Sequence, residues 1–439
     1  MPTLILRFAL FLLLACASGA RAQGLTVDIV NGSPSAIPIA VVPFANESAG
    51  LPPDTDVAAV VAANLNRVGQ FRALERRDVV EYPAREAEVK FATWRVLKQD
   101  FLVIGRLLDA EGGGYRVEFE LFDVAKQQRM AGWAVSARAG DLRGAAHQVA
   151  DLVYEKIIGI RGAFWTRIAY ITSTGSGRNR QYTLMVADSD GFNPQTVVRS
   201  GEPLLSPAWS PDGRKLAYVS FERGNSSIYI QDIGTGQREV VAAYKGINGA
   251  PAFSPDGSRL ALTLSKSGNP EVYVMDLASR RTTQVTRHFS IDTEPQWMPD
   301  GQSLVFTSDR AGKPQLYQVA LGGGDASRLT FAGEYNAGGT VAFDGKRFAM
   351  VQGNGNVYRI AVLDRTLGNP GETRLLSPGN LDESPSFAPN GSMLIYAASE
   401  GSRGVLYAVS ADGRVRQRLV LADGDVREPT WSPFRQLTR

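Results

Sequence analysis

An eight-residue phrase recurs five times between residues 206 and 391, and this repeat limits the possible folds more than any other feature of the chain. The closing glycines of successive copies are 44, 44, 44 and 46 residues apart. A constant period in this range predicts a ring or array of similar supersecondary units. The copies read SPAWSPDG (206–213), APAFSPDG (250–257), EPQWMPDG (294–301), GGTVAFDG (338–345) and SPSFAPNG (384–391).

Two short strands of alternating pattern follow each copy of the phrase, and a glycine-containing turn and a further strand complete the unit. Four short strands in about 44 residues are typical of a β-propeller blade, so we predict an all-β propeller. The first strand after the phrase spans 215–220, 259–264, 303–308, 347–352 and 393–398, and the second spans 227–232, 271–276, 315–320, 356–361 and 405–410.

The residues of the phrase have physical roles in such a blade. In Pro-Asp-Gly, the proline fixes φ at the second turn position and the glycine supplies a positive φ. The Trp or Phe two residues after the first proline is expected to face the neighbouring blade as a large apolar anchor. The GGTVAFDG copy lacks both prolines, which predicts a looser strand entry in that blade.

The two ends of the repeat region are incomplete in complementary ways. Residues 167–172 (RIAYIT) resemble a strand that follows the phrase, but no phrase precedes them. At the other end, EPTWSP (428–433) has no strand after it, and its Trp431 lies 44 residues beyond Phe387. The last strand is therefore expected to complete the first blade, closing a six-bladed propeller over residues 164–439 and removing its open edge.

Residues 37–163 have a different pattern, in which strands and helices are mixed. A helix is predicted over 56–68, with an N-cap at Asp54 or Thr55, and a second helix over 142–158 carries His147. This order predicts a small α/β domain. Buried strands are predicted at 37–44 and 101–107, and a hairpin at 115–124 and 129–137.

The first 22 residues have the features of a secretory signal peptide. An arginine precedes an apolar run at 8–15, and Ala20-Arg21-Ala22 is an A-x-A site, so we expect cleavage after Ala22 and export. That run is too short to span a bilayer and no later run approaches 18 apolar residues, so no membrane insertion is expected. In the alternative interpretation, Cys16 belongs to a lipoprotein signal and is lipidated.

Cleavage leaves an N-terminal arm at residues 23–36. The stretch NGSPSAIP (31–38) is a flexible link, which leaves the preceding segment either free or available as an edge strand. The alternating Leu25, Val27 and Ile29, with Asp28 between the last two, suit strand addition to the sheet edge of a partner.

Composition excludes several classes of function. The chain has two histidines and one cysteine, which argues against a disulfide scaffold, a Cys/His zinc site and most histidine-centred catalysis. The 47 basic and 44 acidic residues are nearly balanced, so nucleic acid is not an expected partner. No G-x-S-x-G pattern occurs. The alternative that stays open is a six-bladed propeller hydrolase that uses carboxylates at the channel mouth or a calcium ion in the channel.

Several longer phrases carry a specific resemblance. IAVVPF (39–44), GIRGAFWTRIAYIT (159–172), NGAPAFSPDGSRLAL (248–262), NPEVYVMDLAS (269–279) and DTEPQW (292–297) resemble the TolB family, periplasmic components of the Tol–Pal envelope system. The resemblance implies a monomeric periplasmic scaffold without catalytic residues, cofactor or metal. It also implies two partners, the lipoprotein Pal at the propeller mouth and the C-terminal domain of TolA at the arm, in outer-membrane integrity and constriction at division.

The strand entries of the repeat give the Pal prediction its residues, because these entries lie around one mouth of a propeller. Matching the motifs of the family selects Asn248, Ala250, Thr293 and Glu294, and the corresponding entries add Ser384 and Glu428. In the alternative interpretation, these residues only cap strand entries. For TolA, the resemblance implies the arm residues Leu25, Val27, Asp28 and Ile29.

Overall fold

The structure, a computed structural model, describes residues 27–29, 36–49, 52–322, 324–366, 368–419, 421 and 424–436. The predicted signal peptide, its cleavage site and Leu25 lie outside the described residues. Among the residues that are described, no helix combines the length and the apolar character needed to cross a bilayer.

The first part of the described chain builds a mixed sheet with helices. Strand β2 lies between β4 and β5 in parallel pairing, and β6 and β7 extend the sheet in antiparallel pairing. The elements in chain order are β1 (Val27–Ile29), β2 (Ile37–Val41), β3 (Ala45–Asn46), α1 (Val57–Arg67), β4 (Phe71–Ala73), α2 (Phe91–Val96), β5 (Phe101–Asp109), β6 (Tyr115–Asp123), β7 (Gln128–Ala137) and α3 (Leu142–Ile158).

Helix α1 begins later than the sequence predicted. The Asp56 side chain accepts a hydrogen bond from the Ala59 amide at 3.0 Å, which makes Asp56 the N-cap and the prediction of Asp54 or Thr55 wrong. The backbone of Asp56 is extended, so its carboxylate reaches the third amide of the helix, as an N-cap requires. Helix α3 has the predicted bounds, and its buried face includes His147 and Tyr154.

The remaining strands contribute four strands to each of six sheets, which confirms the predicted six-bladed propeller. Strands β8 (Arg167–Thr174), β9 (Gln181–Asp188) and β10 (Gln195–Ser200) begin blade 1. Blades 2 to 4 are β11 (Leu204–Trp209), β12 (Lys215–Ser220), β13 (Ser227–Asp232) and β14 (Arg238–Ala242); β15 (Asn248–Phe253), β16 (Arg259–Leu264), β17 (Glu271–Asp276) and β18 (Thr282–Gln284); and β19 (Asp292–Trp297), β20 (Ser303–Ser308), β21 (Gln315–Ala320) and β22 (Ser327–Arg328).

Blades 5 and 6 continue the same order. They are β23 (Tyr335–Val341), β24 (Arg347–Asn354), β25 (Val357–Asp364) and β26 (Glu372–Leu375), and β27 (Glu383–Phe387), β28 (Met393–Glu400), β29 (Arg403–Ser410) and β30 (Val415–Arg418). The last strand, β31 (Asp425–Trp431), pairs antiparallel with β8 and completes blade 1. The predicted closure of the ring by the end of the chain is therefore confirmed.

The repeated phrase has the predicted local structure. The closing glycines of the five copies all have φ between 64° and 72°, a conformation that L side chains rarely adopt. The aromatic anchors reach the neighbouring blade: the indole of Trp209 donates to the Thr430 carbonyl at 3.2 Å, and that of Trp297 donates to the Ala252 carbonyl at 3.0 Å. These bonds join blade 2 to blade 1 and blade 4 to blade 3.

The N-terminal arm is an edge strand of the propeller, which was one of the two possibilities left open. Strand β1 pairs antiparallel with β30, the outer strand of blade 6, with Asp28 opposite Arg416. This blade therefore has five strands. The α/β domain and the propeller also share a hydrophobic core. Tyr154 of α3 and Ile395 of β28 belong to one buried apolar cluster.

We expect Trp431→Ala to destabilise the protein by about 3–5 kcal/mol, because it leaves a cavity at the strand that closes the ring. Trp431 is 6% exposed, and its indole donates to Thr166 Oγ1 at 2.8 Å. Urea unfolding followed by circular dichroism measures the effect. The control Phe289→Ala, at a side chain that is 89% exposed, should change stability by less than about 0.5 kcal/mol. Equal stability of the two variants would contradict this role of Trp431.

Candidate functional site

The innermost strands of all six blades share one irregularity. In each, the pairing register shifts by a β-bulge near the start of the strand. The residue in each bulge has a left-handed backbone, with φ between 47° and 61°: Ser206, Ala250, Glu294, Gly338, Ser384 and Glu428. Five of these six are not glycine, so each costs of order 1–3 kcal/mol of local strain. Such strain is concentrated at functional sites.

These six residues lie around a channel through the propeller. The cavity there has a volume of about 580 Å³, and all six left-handed residues line it. The blade with the GGTVAFDG phrase has the same register shift as the others, so the looser entry expected there is not found. Gly338 takes the left-handed position in that blade without strain, because glycine has no Cβ.

Only two of the described residues that line the channel are acidic or basic, Glu294 and Glu428. Glu294 belongs to blade 4 and Glu428 to blade 1, so they stand on opposite sides of a ring of six. Each carboxylate bonds to the next blade through Oε2: Glu294 accepts from the Gly338 amide at 2.8 Å, and Glu428 accepts from the Ser206 amide at 2.5 Å. Both residues therefore clamp adjacent blades at the mouth.

Exposed apolar side chains, called the rim here, lie at the strand entries of blades 2 to 6. Large exposed apolar residues next to polar groups are typical of protein-binding surfaces. The sequence did not single these residues out, although each lies just before, or at the start of, an inner strand. They are Leu205 (37% exposed), Ile247 (49%), Phe289 (89%), Ile291 (48%), Phe331 (63%) and Leu381 (56%).

The residues predicted for the mouth do not all have the same position. Ala250, Glu294, Ser384 and Glu428 line the channel together, and Ser206 and Gly338, which the sequence did not single out, complete their ring. The phase of the repeat could have identified both. Thr293 is half-buried, with its Oγ1 3.3 Å from Oγ1 of Thr263 in the adjacent blade.

Asn248 is different, because its side chain is fully buried. Its amide donates to the carbonyls of Tyr244 and Ser226 at 2.7 and 3.0 Å and accepts from the Tyr244 amide at 2.8 Å. These bonds hold the loop that precedes β15. The arrangement favours the alternative interpretation for this residue, a cap of its own strand entry.

The predicted arm residues lie apart from the mouth residues. Val27, Asp28 and Ile29 form β1 and pair with the outer edge of blade 6, whereas the mouth residues occupy inner strands. The two sets of predicted partner residues thus belong to separate places on the molecule.

One further group of residues has the composition of a metal site. Ligand atoms of His147, Asp188 and Asp190 lie within 4.8 Å of one another, between α3 and blade 1. Burial lowers the pKa of His147 to about 4, so the ring is neutral near pH 7. Arg143 forms an ion pair with Asp190, and Arg67 donates to Ser189 Oγ at 2.7 Å. These arginines already supply positive charge near the two carboxylates. The group is therefore better interpreted as a buried polar contact that joins the two domains, called the anchor here, than as a metal site.

Electrostatics supports the anchor. Burial acts to raise the pKa of Asp190, but its interactions with His147, Arg67 and Arg143 outweigh burial and hold that pKa below its usual value. Asp190 is 5% exposed and Arg67 is 2% exposed, so neighbouring protein groups, rather than water, stabilise both charges.

We expect Asp190→Asn to destabilise the protein by about 3–5 kcal/mol, because it removes the negative charge beside buried Arg67 and partly buried Arg143. The exposed change Asp325→Asn is the matched control and should have little effect. Thermal unfolding measures both. Added Zn²⁺ should not raise the melting temperature of the wild type relative to the same protein in EDTA, and a rise that Asp190→Asn abolishes would contradict the anchor.

Comparison with known proteins finds matches to both parts of the chain. Residues 25–130 match the model of the TolB amino-terminal domain, and residues 154–435 match that of the TolB beta propeller domain. The Tol-Pal system protein TolB of Xanthomonas campestris pv. campestris is 70% identical over 424 residues, covering 97% of this chain and 96% of the relative. The protein of the same name from Xanthomonas oryzae pv. oryzae has the same identity and coverage.

A solved structure agrees with both matches. The crystal structure of TolB from Acinetobacter baumannii superposes on the chain with a TM-score of 0.84 at 41% sequence identity. The alignment covers 93% of this chain and 100% of that one.

Proposed function

The chain belongs to the TolB family, and from this membership and the geometry of the channel mouth we propose that it is an adaptor that binds the lipoprotein Pal at the mouth and TolA through its N-terminal arm. As a member of this family it is a periplasmic, non-enzymatic component of the Tol–Pal system. Family membership therefore favours the scaffold over the alternative of a propeller hydrolase. In the proposed role, the adaptor contributes to outer-membrane integrity and to constriction at cell division.

The observation that carries the Pal proposal is the ring of left-handed residues inside the exposed apolar rim. Five non-glycine residues around one opening have a strained backbone. Because strain of this kind is concentrated at functional sites, it supports a binding role for the opening. The rim supplies apolar contact area, and the two channel carboxylates accept hydrogen bonds that fix the orientation of a partner. Of the predicted residues, Ala250, Thr293, Glu294, Ser384 and Glu428 are suitably placed for such contacts, and Asn248 would act through the loop that it holds.

The TolA proposal rests on the strand character of the arm. Strand addition uses backbone hydrogen bonds, which any extended segment of sufficient length can offer. In the structure, Val27–Ile29 offer these bonds to β30. Addition of the arm to a sheet edge of TolA therefore requires that the arm leaves β30, and the cost of breaking this pairing weakens the net affinity.

For the Pal site, we expect Glu294→Gln combined with Thr293→Ile to weaken Pal binding by at least about 30-fold, because a central charge is lost and a half-buried position is overfilled. Glutamine keeps an oxygen for the Gly338 amide, so the clamp between blades persists. Isothermal titration calorimetry with purified Pal measures the affinity. Glu239→Gln, on the outer strand β14, is the control; unchanged Pal affinity in the double variant would contradict the mouth as the Pal site.

For the arm, we expect deletion of Gln23–Gly32 to weaken TolA binding by about tenfold or more while Pal binding persists. The more local change Val27→Pro should act in the same direction, because proline removes a backbone donor and disfavours strand pairing. Fluorescence anisotropy with the labelled C-terminal domain of TolA measures the affinity. If both variants keep wild-type TolA affinity, the TolA site lies elsewhere on the chain.

A further inference from the structure

The described lining of the channel contains acidic side chains but no basic ones. Its described lining consists of apolar, hydroxyl and amide residues apart from Glu294 and Glu428, and it includes no Lys, Arg or His. The two carboxylates belong to blades on opposite sides of the ring. A cation that enters between them meets two carboxyl groups and no basic side chain among the described lining residues.

Each carboxylate is held in place by one oxygen only. Oε2 of Glu294 accepts from the Gly338 amide and from Thr307 Oγ1, both at 2.8 Å, and Oε2 of Glu428 accepts from the Ser206 amide. The hydrogen bonds described for these two side chains all end on Oε2. The Oε1 atoms are therefore available to a ligand, while the clamps keep the carboxylates from turning away.

Burial and nearby negative charges make the ionisation of Glu428 costly. Burial raises the pKa of Glu428 to about 7, and the negative charges of Glu383 and Glu294 act in the same direction. The Ser206 amide and Arg427 oppose this shift but do not cancel it. Arg427 is itself engaged, because it donates to Glu383 at 2.8 Å and to Asp425 at 3.0 Å.

We propose that the channel mouth takes up one cationic group of the docked protein partner between Glu294 and Glu428, and that Glu428 releases a proton to solvent when this happens. This inference rests on the proposed Pal site and adds the chemistry of recognition to it. A positive charge close to both carboxylates stabilises the ionised form of Glu428, and so offsets the burial and the repulsion that favour its protonated form. The partner is thus expected to present a lysine or arginine side chain at the centre of its docking surface.

The sign of the pH effect follows from this exchange. Below about pH 7 the free protein carries a proton on Glu428 that the complex lacks, so the affinity rises with pH by up to about tenfold per unit. Above that pH, Glu428 is ionised in both states, so the affinity levels off. Docking that used the neutral carboxyl as a donor would give the opposite slope.

The test is calorimetry of the mature chain with unlipidated Pal at about pH 6, 7 and 8, with EDTA in every solution. At about pH 6 the titration is repeated in two buffers of different ionisation enthalpy, because the difference in observed enthalpy then reports the number of protons released. We expect release approaching one proton near pH 6 and little near pH 8. This part of the test uses only wild-type protein, so it does not depend on the folding of a variant.

Glu428→Gln tests the assignment to one residue. Glutamine still accepts from the Ser206 amide but cannot ionise, so we expect proton release to disappear and the affinity near pH 8 to fall by about tenfold or more. Glu239→Gln removes one negative charge from an outer strand and should keep the wild-type pH profile. Replacing the basic residues of Pal one at a time by methionine should identify a single position whose loss also abolishes proton release.

Three outcomes would overturn the proposal. The first is identical binding enthalpy in the two buffers near pH 6 while Pal still binds. The second is a Glu428→Gln variant that binds Pal with the wild-type pH profile. The third is proton release that occurs only when EDTA is replaced by a divalent cation, because a metal ion then carries the positive charge. Absence of Pal binding at every pH would instead remove the proposed function itself, and the inference with it.

Discussion

The pairing of β31 with β8 is the constraint on which the rest of the molecule depends. It joins segments from the two ends of the propeller, with Val426 opposite Thr172 and Trp431 opposite Ile168. Without it, blade 1 would lack its inner strand and the channel would be open on one side. The same strand carries Glu428, whose carboxylate bonds to Ser206 in blade 2. Closure of the ring and formation of the mouth are therefore one structural event.

The bulges give the closed ring its distinctive opening. A regular inner strand would continue its ladder to the mouth, whereas a bulge with a left-handed residue turns one residue of every blade toward the channel. In blades 1 and 4 that residue is a glutamate, and its side chain compensates part of the strain by capping the bulge of the next blade. The mouth thus combines rigidity with two charges, which suits selective docking of a partner.

Much of the fold could be predicted from the sequence, because a repeat of 44 residues specifies strand positions five times over. The first strand of every unit begins where the pattern predicted, as in Lys215–Ser220. Features that do not recur in the repeat were harder to predict from the sequence. Asp54, Thr55 and Asp56 are all plausible caps, and only the structure shows that the Asp56 side chain reaches the Ala59 amide. The burial of Asn248 also depends on loop contacts that no periodicity encodes. Left-handed Ala250 and Glu428 contradict local preference, so only the assembled ring reveals them.

The central claim, that the mouth formed by the inner strands is the partner-binding surface, is tested most directly by amide hydrogen exchange with and without Pal. The account predicts slower exchange on Pal addition in the strand entries at residues 204–209, 248–253 and 292–297 and in the rim loops at 287–291 and 329–334. Exchange in β5, β6 and β7 of the α/β sheet should not change. Protection confined to that sheet, with the mouth unaffected, would contradict the account.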